Sequence, residues 1–432
     1  MPQGARIYNL FPSLAGTVSA WEDHLDRIAG MGFNWIFLNP IHYPGFSGSL
    51  YAVKDYYTLN PLFEDGTADS ADEQFKSFID AAAERDVAVV MDLVVNHTAK
   101  DSLLAAQHPD WFVHEPDGSL ASPYAVDPAD TRKRTVWADL AEIDYSDRPQ
   151  LADIIAYFGE MIRHYVRLGV RGFRCDAAYK VPKDVWRALI AAGRQENDDV
   201  VFIAENLGSL LEQALALRGA GFDYLFNSSK WWDFRQSWLL EQYEQFRSIA
   251  PSISFPETHD TNRLIDDLAA LGVTSLAEVA QRYRNAYLFA AVFSSGVMIP
   301  MGFEYGFRKK LDVVKTRPEH WEQPAFDLTR WIAQVNRMKA SVPVLNEEGS
   351  QRAIYLGDGR IVCLLRRALR GPAWTIVLIN TDQTWPVSAR IEPLDGDVQE
   401  GREVTPGGSD REFRAGSEVT LQPSEVRVYS SH

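Results

Sequence analysis

The stretch GVRGFRCDAAYK, Gly169–Lys180, decides how this chain is read. It is an apolar run that carries Arg174 and Asp176 two positions apart, with Cys175 between them. Side chains alternate along a strand, so Arg174 and Asp176 share one face and Cys175 packs on the other. Two opposite charges on one face of a buried strand suggest that this face opens on a site. Seven further apolar runs occupy residues 5–11, 33–40, 87–96, 200–206, 223–229, 252–260 and 296–306. Helical patterns separate them, for example LADIIAYFGEMIRHYVRLG from Leu151. Near-continuous apolar runs alternating with helices predict a parallel sheet. Eight such units predict a closed TIM (β/α)8 barrel of the α/β class. An open doubly wound sheet is the alternative, and it lacks the glycine-rich phosphate loop it would need after the first strand.

The remaining sequence sets the domain plan. About fifty residues rich in Asp, Pro, Trp and Ser follow the third strand, and loops of that length are usually functional or small inserted domains. The barrel is expected over residues 1–97 and 148–345, with a short inserted domain over 98–147. After DLTRWIAQVNRMKASVPVL the pattern changes to short alternating strands with turn signals such as Gly-Asp-Gly and Pro-Gly-Gly. Residues 346–432 are therefore expected to form an antiparallel β-sandwich.

The composition excludes several classes of function. There are 43 Lys and Arg against 59 Asp and Glu, a formal net charge of −16. Such a surface argues against nucleic acid or an anionic membrane as partner. No run of about eighteen apolar residues suggests a membrane span. The opening MPQGARIYNLF does not read as a signal peptide. The two cysteines, Cys175 and Cys363, lie far apart in apolar runs and are expected to be buried thiols. A cytoplasmic protein is the expectation; the oligomeric state is open.

In a barrel of this kind the chemistry sits at the C-terminal ends of the strands. Polar residues recur there: Asp92, Asn96 and His97 after the third strand, Arg174 and Asp176 on the fourth, Glu205 and Asn206 on the fifth, and Glu257, His259 and Asp260 on the seventh. One carboxylate after a strand is commonly a helix cap. Four strands out of eight ending this way point to one shared mouth. Asp176 beside a guanidinium is expected to stay ionised, whereas a desolvated Glu205 near other acids is expected to hold its proton. Two acids in such different environments are what glycoside cleavage with retention requires.

In these stretches the chain resembles the α-amylase family, glycoside hydrolase family 13. DLVVNH (92–97), GFRCDAA (172–178), AEN around Glu205 and THD (258–260) stand in the family's order. LYAVKDYY (50–57) is similar to the family's Gly-Tyr-x-x-x-Asp-Tyr segment, with Leu50 in place of Gly. WADLAEIDYSD (137–147) is similar to the segment that closes the inserted domain. The resemblance implies Asp176 as nucleophile, Glu205 as general acid then base, and Asp260 as third carboxylate. It implies that Arg174 orients Asp176, that His97 and His259 bind sugar hydroxyls, and that Tyr51 stacks beneath the sugar. IDYSDRPQL (143–151) and PETHDTNRL (256–264) are also similar to maltosyltransferases that use maltose 1-phosphate.

The departures concern substrate. Many endo-acting amylases carry Lys-His where this chain has Tyr179-Lys180, and there those residues serve the leaving-group sugar and a calcium ion. No cofactor, metal or classical calcium site is therefore expected here. Gly48 replaces an Asp that exo-acting α-glucosidases often carry. The resulting expectation is a retaining glycosidase on α-glucosidic bonds of an oligosaccharide or polysaccharide. A transglycosidase with the same residues is the alternative. Trp231, Trp232 and Glu304 are further candidates, weighed against simple core or capping roles.

Overall fold

The computed structural model describes residues 4–67, 69–127, 130–391, 398–408 and 411–431. Eight parallel strands close into a barrel: β1 Arg6–Leu10, β2 Trp35–Leu38, β3 Ala88–Leu93, β4 Gly172–Cys175, β5 Val201–Ala204, β6 Tyr224–Phe226, β7 Ser252–Ser254 and β8 Gly296–Pro300. Each strand pairs with its neighbours in sequence, and β8 pairs with β1. All eight apolar runs supply a barrel strand.

Strand alternation sorts the core into two layers. Ile7, Phe37, Val90, Ile203, Phe226 and Met298 fill the barrel interior. Met91, Leu93, Phe173, Cys175 and Phe202 face outward into the shell between strands and helices. Gly172 begins β4 on the crowded inner side, where a β-carbon would lie 3.0 Å from the Val201 carbonyl oxygen. The helix Leu151–Leu168 buries Ile154, Phe158, Met161, Ile162 and Tyr165 against this shell. It stops at Gly169, whose φ of 112° suits a residue without a β-carbon. The helix Ala71–Ala83 starts on a capping box, in which Ser70 and Glu73 satisfy each other's backbone amides.

Two excursions build the rim of the mouth. After β2, His42–Pro44 pairs with Val53–Leu59, and Tyr51 lies on the link between them. After β3, His97–Ala99 pairs antiparallel with Leu140–Glu142, and Tyr124–Asp127 forms a hairpin with Asp130–Val136. This is the insertion read from the long polar stretch.

The C-terminal part is antiparallel. Its strands are β9 Gln351–Ile354, β10 Ile361–Arg367, β11 Trp374–Asn380, β12 Val387–Arg390, β13 Glu400–Glu403, β14 Glu412–Arg414, β15 Glu418–Leu421 and β16 Val426–Ser430. A six-stranded sheet, β9-β10-β11-β16-β13-β14, faces the two-stranded β12-β15 across a core of Cys363, Leu365, Ile376, Leu378, Ala389 and Leu421. Its opposite face, with Val362, Leu364, Val377, Ile379 and Val428, joins the main core around the barrel. Both cysteines are free and buried. No helix among the described residues is long and apolar enough to cross a membrane.

Candidate active site

Arg174 organises the C-terminal mouth of the barrel. Strand register sets it directly beside Asp92 on β3 and Ile203 on β5. Its Nη1 donates to both oxygens of Asp92, at 2.9 and 3.0 Å, and to Oδ1 of Asp176, at 2.7 Å. Its Nη2 lies 3.8 Å from Oε2 of Glu205. One guanidinium thus touches three carboxylates, and its own position lies over the rings of Phe37 and Tyr51, 5.8 Å from each centroid. Asp176 is anchored through its backbone N–H to Leu93, while its other carboxylate oxygen has no hydrogen bond among the described residues.

Glu205 follows β5 and is almost fully buried. The chain turns sharply after Asp176: Ala177 takes φ 40° and ψ 50°, a left-handed conformation uncommon outside glycine. That turn aims the Ala177 N–H at Oε2 of Glu205, 3.0 Å away, while the Leu207 N–H reaches Oε1 at 2.6 Å. Burial nevertheless dominates and pushes the Glu205 carboxyl up to about 7, against the opposing pull of Arg174. Burial likewise raises Asp92 to about 6, again opposed by Arg174.

Tyr51 closes the other side. Its hydroxyl donates to Oδ2 of Asp92 at 2.7 Å, so it must accept from Asn39 Nδ2 at 3.0 Å and from Nε2 of His259 at 2.9 Å. This fixes the proton of His259 on Nε2, which also lies 3.0 Å from Oδ2 of Asp260. The Tyr51 and His259 rings are nearly parallel, with centroids 5.9 Å apart. The Nε2–H of His97 points to the Tyr51 carbonyl at 3.2 Å, and burial lowers the pKa of this imidazole. Asp260 projects into the opening, with its side chain 67% exposed. Phe37, Arg174, Glu205, Leu207, Phe226, His259, Asp260 and Met298 line one small cavity here.

The seven residues singled out from the sequence, Tyr51, His97, Arg174, Asp176, Glu205, His259 and Asp260, therefore meet at one mouth. Asp92 joins them through Arg174 and Tyr51, whereas Glu257, Glu304 and Trp232 do not. Glu257 is fully buried, paired with Arg263 at 2.7 Å and bonded to the Leu264 N–H. Glu304 is buried just after the last barrel strand, where Tyr8, Arg27 and the Gly302 N–H surround it. Trp232 packs against Phe289 and Phe293, while Trp231 is half exposed and meets Phe255 edge-on. Asn39 is a contributor that sequence reading missed. The only hint is its place at the end of the second apolar run. The sequence marks Lys180 but not its partner: Nζ donates to the Tyr124 carbonyl and sits 5.1 Å from that ring. Arg134 lies 4.6 Å from the same ring, so the loop after β4 is tied to the inserted hairpin. Among the described residues, no three His, Cys, Asp or Glu side chains form a group able to hold a metal ion.

Fold and site together define an eight-stranded parallel barrel that gathers three carboxylates around one buried guanidinium. Residues 3–117 match the family model for the glucanotransferase domain of glycogen debranching enzyme. The α-1,4-glucan:maltose-1-phosphate maltosyltransferase of Burkholderia pseudomallei is 26% identical over 88% of this chain and 33% of its own. The enzyme of the same description from Myxococcus xanthus is 24% identical over 87% of this chain and 58% of its own. The chain thus spans about a third to three-fifths of these relatives. Among solved structures, an α-amylase from Lactobacillus plantarum superposes with a TM-score of 0.76 at 21% identity, covering 99% of this chain and 98% of that one. A maltogenic α-amylase from Thermotoga neapolitana gives 0.73 at 22% identity, covering 99% of each. The chain is thus similar in sequence to maltosyltransferases and shares the fold of α-amylases.

Proposed function

We propose that this chain is a retaining glycosidase acting on α-glucosidic bonds of α-glucans or malto-oligosaccharides. The observation that carries the reading is the pairing of Asp176 and Glu205 on adjacent strands in opposite environments. Asp176 shares Arg174 and keeps an oxygen unbonded among the described residues, whereas Glu205 is buried with its carboxyl raised to about 7. In the first step Asp176 attacks the anomeric carbon while Glu205 protonates the departing glycosidic oxygen. In the second, Glu205 takes a proton from water, which displaces Asp176 from the sugar. Asp260, His97 and His259 would hold hydroxyls of the sugar being cleaved, and Tyr51 would stack beneath it. This reading takes no metal, because Tyr179-Lys180 stands where calcium-dependent amylases carry Lys-His. A chelator is then expected to leave the melting temperature unchanged.

A second reading, glycosyl transfer, is favoured by the glucanotransferase-domain match and the maltosyltransferase relatives. It uses the same residues, with a sugar hydroxyl in place of water. Product analysis decides between the two. The chain is incubated with maltose, maltoheptaose, trehalose and maltose 1-phosphate, and chain length and anomeric form are followed from early times. Hydrolysis yields shorter products with the α-anomer first. Products longer than the donor establish transfer, and a β-anomer first would overturn retention.

A further inference from the structure

A second cavity, of about 320 Å³, lies beside the mouth between the loops that follow β7 and β8. Its lining includes Arg263, Lys309, Lys310, Lys315, His320 and Glu322. The segment FRKKLDVVK, Phe307–Lys315, holds four basic residues and one acid in a chain of net charge −16. None of its three lysines has an ion-pair partner among the described residues. The two acids of the lining are turned onto backbone. Glu322 accepts from the N–H groups of Arg308 and Lys309, at 3.0 and 2.7 Å. Asp312 accepts from those of Val314 and Lys315, at 2.8 and 2.9 Å.

The loop is fastened beside the mouth on both sides. Arg263, three residues beyond Asp260, donates Nε to the Lys309 carbonyl at 2.9 Å. The Leu50 N–H, next to Tyr51, donates to the Val313 carbonyl at 3.1 Å. The Thr316 hydroxyl oxygen accepts from the Asp312 N–H at 2.8 Å, which leaves its own proton for another acceptor. Nδ1 of His320 accepts from the Arg317 N–H, so the ring can offer an Nε2–H.

A neutral sugar calls for hydroxyl partners and a flat ring, and three ammonium groups are surplus to that task. They suit a compact anion with several oxygens. Loops after strands seven and eight are also where barrels of this kind frequently bind phosphate. We infer that this cavity binds a phosphate group, free or esterified to a sugar that reaches the neighbouring mouth. A dianion with three terminal oxygens fits three ammonium donors better than a carboxylate does. The ester form of the inference rests on the glycosidase reading above.

The test measures binding rather than turnover. The full chain carrying Glu205→Gln is titrated calorimetrically with inorganic phosphate, glucose 6-phosphate and glucose. Both phosphates are expected to bind more tightly than glucose. The pair Lys309→Ala and Lys315→Ala is expected to weaken both phosphates about tenfold or more, without altering the glucose response. Tighter binding of the ester assigns the cavity to a phosphorylated sugar. Inorganic phosphate binding as tightly or more tightly assigns it to the free anion. Absence of phosphate binding, or binding undiminished in the lysine variant, overturns the inference. A chain that cleaves no glucan yet binds phosphate through these lysines overturns the glycosidase reading alone. A chain that cleaves malto-oligosaccharides but binds no phosphate overturns this site alone.

Discussion

Arg174 and Asp92 sit level with each other on adjacent barrel strands, and one guanidinium nitrogen reaches both oxygens of the carboxylate at 2.9 and 3.0 Å. The same nitrogen holds Asp176 at 2.7 Å. Both Arg174 and Asp92 are buried, so neither charge can fall back on water. Arg174→Lys keeps a charge but loses the planar fork that spans three carboxylates. It is expected to lower kcat on the order of 100-fold, by loosening the aim of Asp176. Arg174→Met leaves Asp92 and Asp176 without their cation and is expected to cost about 3–5 kcal/mol of stability. Urea denaturation and steady-state kinetics on malto-oligosaccharides check both. Wild-type kinetics for the lysine variant would show that only the charge matters.

Asp176→Asn removes the proposed nucleophile while preserving its shape and its contact with Arg174. Turnover is expected to fall on the order of 10⁴-fold or more, with the melting temperature little changed. Mass spectrometry with a fluorinated, slowly released glycosyl fluoride should show an adduct on the peptide containing Asp176 in the wild type. The same reagent should leave the variant unlabelled. Labelling elsewhere would reassign the nucleophile.

The carboxyl of Glu205 is raised by burial from an ordinary 4.5 to about 7. Between these values the folded chain holds the proton more tightly than the unfolded chain does. This contribution to stability therefore falls as pH rises from 4.5 to about 7, and levels off above. Glu205→Gln removes the penalty. The variant is expected to gain stability near pH 8 relative to pH 5, by at most on the order of 3 kcal/mol. In the wild type, kcat/KM is expected to decline on the alkaline side with an apparent pKa near 7, because the acid must be protonated. An alkaline limb far above neutrality would place the general acid elsewhere.

Tyr51→Phe deletes the hydroxyl that donates to Asp92 and accepts from His259 and Asn39. The ring remains available for stacking. The donor supports the ionised form of Asp92, whose carboxyl already stands at about 6. Its loss is expected to cost about 1.5–3 kcal/mol above pH 6, and less near pH 5, where Asp92 is mostly protonated. Thermal denaturation at the two pH values checks this. An equal loss at both would mean that the hydroxyl does not act through Asp92.

Much of this protein is legible in its sequence because two kinds of signal are local. Apolar runs alternating with amphipathic helices specify eight barrel strands, since a strand buried on both faces must be apolar nearly throughout. Alternation within GFRCDAA places Arg174 and Asp176 inward and Cys175 outward, because that parity belongs to the strand itself. The polar strand ends could likewise be found one by one.

What the tertiary structure alone decided is which polar groups meet. Glu257 and Asp260 stand three residues apart after one strand, yet one is buried on Arg263 and the other projects into the opening. The Tyr51 hydroxyl meets His259 across 208 positions of chain, and Lys180 meets Tyr124 across 56. The cavity of lysines beside the mouth lies on a loop after β8 that Arg263 and Leu50 fasten from two sides. Periodicity determines which face a side chain takes. Barrel closure and loop packing determine what it faces, and with it the burial that raises the Glu205 carboxyl to about 7.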